Sequence, residues 1–148
     1  MQQTLILLKP DAVQRRLIGE VIHRFERKGL RLAALKFVQA SRTLAESHYV
    51  VHKGKPFYES LIQFLTSGPT VAMVLEGREA VAVCRLMMGS TDGAKSPPGT
   101  IRGDFALSVQ NNLIHGSDSP ENAVAEIALW FDPKELVSHS TTDAAWIG

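Results

Sequence analysis

The histidine at position 115 lies in a segment whose residue types suit nucleophilic chemistry. Leu113 and Ile114 form a short apolar step, and small or polar residues follow as far as Ser119 and Pro120. The Ser-Pro pair is typical of a helix start, and the first turn of a helix attracts anions because its amide groups are unpaired. Neutral imidazole is a competent nucleophile or general base near pH 7. A histidine that only hydrogen-bonds within a loop is the alternative, and spacing alone leaves both interpretations open.

Three cations stand beside predicted turns or element ends. Lys9 follows an apolar run and precedes a proline, Arg85 lies late in a predicted helix, and Arg102 is followed by glycine. Arginine binds phosphate through two parallel hydrogen bonds, and lysine binds it as a point charge. Each cation taken alone could equally be a solvated surface charge. If folding brings the three together around His115, the set would suit phosphoryl transfer, because cations neutralise charge on the moving group.

A glycine-rich segment over residues 89–96 resembles a nucleotide-binding P-loop but fails two tests. Its sequence, Gly-Ser-Thr-Asp-Gly-Ala-Lys-Ser, has Ala94 where the motif requires its second glycine. It also follows a predicted helix, whereas a P-loop follows a strand. The P-loop interpretation is therefore rejected.

A pair of histidines has spacing that can suit a metal site. His48 and His52 are four residues apart and could lie on one helix face. No glutamate follows the first histidine, and Cys84 is the only thiol in the chain. The sequence therefore predicts two surface histidines and no protein-bound metal.

Hydrophobic periodicity predicts an alternation of strands and helices. Apolar runs predict strands at residues 4–8, 30–40 and 70–75, with a short fourth strand starting at 113–114. Helical spacing predicts helices over residues 11–28, 44–52, 57–65 and 78–88 and after Ser119. Residues 89–103 are rich in glycine, proline, serine and threonine and are predicted to form one long loop. Loops of that length in compact domains are usually functional.

The element order predicts the architecture. Two strand–helix–strand units predict an α/β (α+β) sandwich of the ferredoxin-like, split βαβ type. Its four-stranded mixed or antiparallel sheet would be covered by helices on one face. A doubly wound parallel sheet is the runner-up, and it is weaker because only about four strands are predicted. The length fits one domain over residues 1–148, with a C-terminal tail over 138–148.

Composition and charge exclude several classes of protein. Hydrophobic residues make up 45% of the chain and charged residues 21%, as in an ordinary globular domain. Residues 1–74 carry 11 basic and 5 acidic side chains (+6), and residues 75–148 carry 5 and 10 (−5), so the total is +1. A near-neutral total disfavours tight binding to long nucleic acids. No apolar run suits a membrane span and no secretory signal is visible, which with the lone Cys84 predicts a cytoplasmic location.

Several short motifs together resemble the nucleoside diphosphate kinase family. They are Lys9-Pro10-Asp11, His48-Tyr49, Lys55-Pro56-Phe57, Ser67-Gly68-Pro69, the segment Gly99 to Asp104 and the segment Asn112 to Ser119. The resemblance runs from about residue 3 to residue 137, and the segment around His115 is its most specific part. It implies a ferredoxin-like fold and ping-pong transfer of the γ-phosphoryl group from a nucleoside triphosphate to a nucleoside diphosphate. It also implies Mg²⁺ carried on the nucleotide.

The resemblance assigns expected roles to individual residues. By similarity His115 becomes the phosphohistidine, Glu126 holds its other ring nitrogen, and Ser117 supports that contact. The positions that match phosphate or ribose contacts are Lys9, Tyr49, Arg85, Thr91, Arg102 and Asn112. Phe57 matches the aromatic residue that stacks on the base, with Leu61 and Val109 in the same slot. Because every base has a π face, stacking predicts broad base tolerance.

The sequence departs from the family pattern at three positions. Ala12 and Arg16 stand where glycine is frequent, and Gly93 stands where proline is common. Family members form tetramers or hexamers, and the tail over 138–148 favours a hexamer. Two other classes of protein are the alternatives, a phosphohistidine relay that acts on another protein and a nucleic-acid-binding module. The residues of the base slot argue against the first, and the near-zero net charge argues against the second.

Overall fold

The structure is a computed structural model that describes all 148 residues. Its strands are β1 (Gln2–Leu8), β2 (Arg31–Val38), β3 (Thr70–Gly77) and β4 (Ile114–Gly116). They form one four-stranded sheet in the order β2-β3-β1-β4, and every neighbouring pair is antiparallel. The predicted sandwich of the ferredoxin-like type is therefore confirmed. The sheet is not parallel, so the doubly wound alternative is wrong.

Helices connect and cover the strands. The α-helices are α1 (Pro10–Gln14), α2 (Ile18–Lys28), α3 (Arg42–His48), α4 (Tyr58–Thr66), α5 (Ala80–Met88), α6 (Ile101–Phe105), α7 (Pro120–Trp130) and α8 (Ala144–Ile147). Short 3₁₀ turns lie at Val50–His52, Gly93–Lys95 and Pro133–Glu135. No helix combines the length and the apolar character needed to cross a membrane.

Apolar side chains lie on both faces of the sheet, and this corrects the expectation of helices on one face. In β1, Ile6 and Leu8 join a cluster that includes residues of α2 and α5. Leu5 and Leu7 point the other way and join a cluster that includes residues of α3, α4 and α7. All four side chains are fully buried. A continuous apolar run, unlike an alternating one, requires cover on both sides of the strand.

The helix predicted from residue 11 is two helices, because the chain turns between α1 and α2. Arg16 lies in that turn with φ 60°, in the left-handed region that glycine adopts without strain. The glycine that is frequent here in the resembled family has this physical reason. Ala12, the neighbouring departure, is fully buried in the core.

The segment predicted as one loop over residues 89–103 is more ordered than expected. Its end forms α6, which is capped because the hydroxyl of Thr100 accepts from the backbone N–H of Gly103 at 3.0 Å. Gly93 packs so closely on Ala106 that a Cβ at residue 93 would lie 2.5 Å from the carbonyl carbon of Ala106. This loop is therefore built around a glycine at position 93, where proline is common in the resembled family.

Candidate active site

His115 is the middle residue of β4, the edge strand next to β1. It lies opposite Leu7 in the antiparallel register, and its neighbours Ile114 and Gly116 are buried. Because successive strand residues face opposite sides, the imidazole points away from the cluster that holds Ile114, and toward α7. The side chain is 25% exposed, so one edge of the ring reaches solvent and the other is held by the protein.

A carboxylate holds one nitrogen of His115. Nε2 lies 3.0 Å from Oε1 of Glu126 in α7, and the hydroxyl of Ser117 donates to the same oxygen at 2.7 Å. Burial raises the pKa of Glu126, but the hydrogen bonds from His115 and Ser117 outweigh it and hold the pKa below its usual value. An ionised carboxylate can only accept, so Nε2 carries the proton and Nδ1 carries the lone pair. The contact predicted between these three residues is present.

His48, the last residue of α3, is buried, and the prediction of a surface histidine is wrong. Its Nδ1 accepts from Nε1–H of Trp130 in α7 at 3.1 Å. Its ring meets the ring of His115 edge-on, with 4.6 Å between the ring centroids. Burial, with a smaller effect of His115, lowers the pKa of His48 to about 3, so the ring is neutral at physiological pH. His48 is part of the wall behind His115.

The donor atoms of His48, His115 and Glu126 lie within 4.8 Å of one another, close enough to raise the question of a metal. The lone pair on Nδ1 of His48 is engaged by Trp130, so its other nitrogen carries the proton and neither is free to bind a cation. Glu126 already accepts from His115 and Ser117. The arrangement is better described as a hydrogen-bonded support for the His115 ring.

The three predicted cations surround the strand of His115. Lys9 donates through Nζ to Oδ1 of Asn112 at 2.5 Å, and Arg85 donates to the carbonyl oxygen of Gly116 at 3.1 Å. Burial, with repulsion from Arg102 and partial compensation by Asp11, lowers the pKa of Lys9 to about 8. The convergence that the sequence left open is therefore present.

Arg102 is buried and fixed by the backbone. It donates to the carbonyl oxygens of Asn112 (3.2 Å), Gly89 (3.3 Å) and Ile114 (2.6 Å). Burial and the charge of Arg85 lower its pKa to about 10, and it stays charged at physiological pH. The guanidinium thus connects the loop after α5, through Gly89, to Asn112 and Ile114, the two residues that flank Leu113 just before β4.

One cavity of about 600 Å³ contains all nine predicted nucleotide-binding positions together with His115. These positions are Lys9, Tyr49, Phe57, Leu61, Arg85, Thr91, Arg102, Val109 and Asn112. Phe57 and Val109 are about half exposed and form an open mouth, Lys9 and Arg102 are buried deeper in the cavity, and Arg85 is exposed at its edge. The side chain of Asn112 links two walls, because it also donates to the carbonyl oxygen of Thr91 at 2.9 Å.

Three polar residues of the cavity were not predicted. His52, Ser60 and Gln110 also line it, and His52 packs against Phe57 with 5.3 Å between ring centroids. The sequence carried one signal for His52, its place just before the Lys55-Pro56-Phe57 motif, and none for the other two. A larger cavity of about 780 Å³ lies beyond Arg85. It contains no histidine and only one cation, Arg85, so the smaller cavity is the candidate active site.

Comparison with known proteins decides the family. A model described as nucleoside diphosphate kinase matches residues 2–136. The chain belongs to the nucleoside diphosphate kinase family. Among similar relatives, the nucleoside diphosphate kinase of Carboxydothermus hydrogenoformans is 56% identical over 147 residues, which cover 99% of each chain. That of Thermoplasma acidophilum is 54% identical over 142 residues, which cover 96% of each.

Solved structures of the nucleoside diphosphate kinase family share the whole fold. The enzyme of Halobacterium salinarum in complex with CDP matches with a TM-score of 0.97 at 45% identity, covering 99% of this chain and 98% of that one. A family protein from Babesia bovis matches with a TM-score of 0.97 at 44% identity over all of both chains. The predicted family and fold are both confirmed.

Proposed function

We propose that His115 carries the phosphoryl group in a two-step transfer between nucleotides. Members of the nucleoside diphosphate kinase family transfer phosphate between nucleotides, and this chain is such an enzyme. The observation that supports the role of His115 is its one-sided hydrogen bonding. Nε2 is held by Glu126 at 3.0 Å, while Nδ1 has no protein partner and faces the cavity. A lone pair on Nδ1 is therefore available to attack phosphorus.

Each step of the proposed reaction forms one bond to phosphorus and breaks another. Nδ1 first attacks the γ-phosphorus of a nucleoside triphosphate, typically ATP, and the bond to the β–γ bridging oxygen breaks. The nucleoside diphosphate leaves with that electron pair, and the positive ring is stabilised by the carboxylate of Glu126. A terminal oxygen of the acceptor diphosphate then attacks the phosphorus, and the N–P bond breaks. The lone pair returns to Nδ1, so no net proton transfer is needed.

The cavity suits a ligand with a phosphate chain at one end and an aromatic base at the other. Lys9, Arg85 and Arg102 carry positive charge beside His115, where phosphates would lie. Tyr49, Thr91 and Asn112 are the proposed polar contacts to phosphate or ribose. Base stacking is assigned to Phe57, with Leu61 and Val109 completing the slot. Stacking on a half-exposed ring reads little of the base edge, which supports broad base tolerance.

The family generally uses a divalent metal, and we assign Mg²⁺ here as part of the nucleotide substrate. None of the side chains that line the cavity is a carboxylate. Mg²⁺ prefers oxygen ligands and commonly enters through substrate phosphates. The cavity therefore suits a metal that arrives on the phosphates and is not held by protein side chains.

The test is intact-mass measurement of the full chain. ATP and Mg²⁺ alone are expected to add one phosphoryl group per chain, and excess GDP is expected to remove it and form GTP. His115→Ala should abolish both reactions. The matched control is His23→Ala, since His23 is exposed on α2 and lies outside the cavity. A His115→Ala chain that is still phosphorylated and turns over would disprove the assignment.

The same experiment separates the alternatives. A relay protein would accept phosphate and keep it when GDP is added, because it needs no acceptor nucleotide. A nucleic-acid-binding module would show neither reaction. The base slot around Phe57 favours the enzyme over the relay, because a relay has no use for a stacking surface.

Self-association is the proposed quaternary state, with a hexamer favoured over a tetramer. The edge strand β2 exposes Leu35 and Phe37, and Trp146 in the C-terminal tail is 90% exposed. Leu35 and Phe37 are two residues apart and so lie on the same face of β2, and contiguous exposed apolar side chains are typical of contact surfaces. Light scattering on the full chain would separate six copies from four, and a monomer would contradict the proposal.

We also propose a cytoplasmic location and a single domain over residues 1–148, as the sequence predicts.

A further inference from the structure

The backbone turns sharply just before His115. The N–H of Ile114 donates to the carbonyl oxygen of Asn112 at 2.8 Å, which closes a three-residue γ-turn around Leu113. Leu113 has φ 74°, and the positive-φ form of the γ-turn is rare and strained for a residue with a side chain. Its side chain is fully buried. Such a conformation persists only when the surrounding structure holds it.

Two residues of the chain beyond β1 hold the backbone of Leu113. Its N–H donates to Oδ2 of Asp11 at 3.1 Å, and its carbonyl oxygen accepts from the backbone N–H of Lys9 at 2.8 Å. Only the Asp11 contact depends on a side chain. The second oxygen of that carboxylate is buried and has no hydrogen-bond partner. The side chain of Asp11 therefore makes one hydrogen bond, and Leu113 is its donor.

The turn sets the positions of groups on both sides of it. Asn112, on one side, contacts Lys9 and Thr91 across the cavity. On the other side β4 begins, and His115 is its second residue. A change of φ at Leu113 would move one relative to the other. A displacement of about 1 Å in an active site can cost on the order of 100-fold in rate.

We propose that Asp11 is a positioning residue for phosphoryl transfer, which clamps the strained turn at Leu113 and so aligns His115 with Asn112. The proposal rests on the function assigned to His115 above. A competing explanation is that Asp11 acts only through its charge on Lys9. The two explanations differ at residue 113. Glycine adopts a positive φ without strain, so Leu113→Gly removes the need for a clamp and leaves the charge effect on Lys9 unchanged.

The test compares single-turnover rates of His115 phosphorylation by ATP and Mg²⁺, read by intact mass in the full chain. Asp11→Ala is expected to lower this rate about tenfold or more. Asp11→Asn keeps an oxygen that can accept from Leu113 and is expected to recover most of the rate. In a Leu113→Gly background, Asp11→Ala is expected to cost less than about threefold, because the two positions are coupled.

The control is Glu76→Ala. Glu76 is a carboxylate bonded to Arg31 and Gln3 at the end of the sheet far from β4, so its loss should lower the melting temperature without changing the phosphorylation rate. If Asp11→Ala does not fold, Asp11→Asn is compared with the unaltered chain, because it removes the charge beside Lys9 and keeps an acceptor for the N–H of Leu113. A rate within about threefold supports the clamp, and a loss of about tenfold or more contradicts it.

Two results would overturn the proposal. One is an Asp11→Ala rate within about threefold of the unaltered chain, and the other is an equal loss in the leucine and glycine backgrounds. An unaltered chain that ATP does not phosphorylate would instead contradict the function assigned to His115, so the two failures are distinguishable.

Discussion

The indole N–H of Trp130 donates a hydrogen bond to Nδ1 of His48 at 3.1 Å, directly behind the proposed nucleophile. An indole N–H can only donate, so Nδ1 of His48 holds a lone pair and its ring is neutral, with the proton on Nε2. His48 therefore places no second positive charge beside His115, whose ring centroid is 4.6 Å away. The charge that develops on His115 during transfer is left to Glu126 to balance.

The buried neutral state of His48 predicts a loss of stability in acid. Its pKa is about 3 in the folded chain, because of burial and the nearby His115, against 6.5 when it is unperturbed. Between these values the unfolded chain binds a proton that the folded chain excludes, so stability falls as the pH drops below 6.5. The contribution of one such group is about 1.4 kcal/mol per pH unit. His48→Gln keeps an acceptor for Trp130 and is expected to flatten the dependence in urea unfolding between pH 7 and 5. An unchanged slope would contradict the assignment.

Lys9 predicts the alkaline limit of activity. Burial lowers its pKa to about 8, so a rise in pH above that value removes a positive charge beside His115. We expect kcat/KM to fall by a factor approaching ten per pH unit above about pH 8, since this parameter reports the ionisation of the free enzyme. Lys9→Arg keeps its charge at high pH. We expect its alkaline fall in kcat/KM to begin at a higher pH than in the unaltered chain, even though its activity is lower. An identical limb in both chains would assign the ionisation to another group.

We expect substitution of Glu126 to slow the chemical step selectively. Glu126→Gln removes the negative charge that fixes Nε2–H of His115, and we expect the rate of His115 phosphorylation to fall roughly 10- to 100-fold. Ser117→Ala leaves that carboxylate in place and is expected to cost less. Rapid-quench measurement with saturating ATP reads this step directly. Equal losses in the two variants would show that the hydroxyl matters as much as the charge.

The proposed stacking of the base on Phe57 can be tested by removing the ring. Phe57→Ala removes the stacking surface, and because stacking on an aromatic ring is worth about 1–3 kcal/mol per base, KM is expected to rise about fivefold or more. The rise should be similar for adenine, guanine, cytosine and uracil nucleotides. A loss confined to one base would mean that the slot reads base edges. Val124→Ala is the control, since Val124 is an exposed apolar residue of α7 that lies outside the cavity.

We expect replacement of Arg16 by glycine to stabilise the folded chain. Its φ of 60° is costly for a side chain that is exposed and makes no hydrogen bond. Arg16→Gly relieves that strain but adds freedom to the unfolded chain, and the net gain expected is about 0.5–1 kcal/mol of unfolding free energy. Thermal unfolding measures it. The exposed residue Gln14 lies two residues earlier, at the end of α1, and Gln14→Gly is expected to destabilise by a similar amount.

The sequence predicted the strands well, because apolar runs such as Leu5 to Leu8 are a strong local signal. One detail depended on information that the periodicity does not carry, because the break at Arg16 is a single backbone angle and arginine gives no local sign of it. The cover on both sides of β1, by contrast, follows from the continuous apolar run itself, whose alternate residues pack against different helices.

Some residues of the site could be predicted from the sequence and others could not. His115, Arg102 and Asn112 lie in a segment with specific motifs, so the resemblance located them. His48 was placed on the surface because its apolar surroundings come from Trp130, which is 82 positions away in the sequence. Asp11 was noted only as part of a motif, since its partner is the backbone of Leu113 and a backbone group leaves no signature in residue types.

Arg102 has three carbonyl partners and no carboxylate partner. Carbonyl oxygens satisfy hydrogen bonds but carry no net charge, so the guanidinium is fixed in place while its electrostatic field is left largely uncancelled. Folding thus completes the ordering of this side chain before any nucleotide arrives. An incoming phosphate therefore meets a cation that is already oriented and that is not paired with another anion.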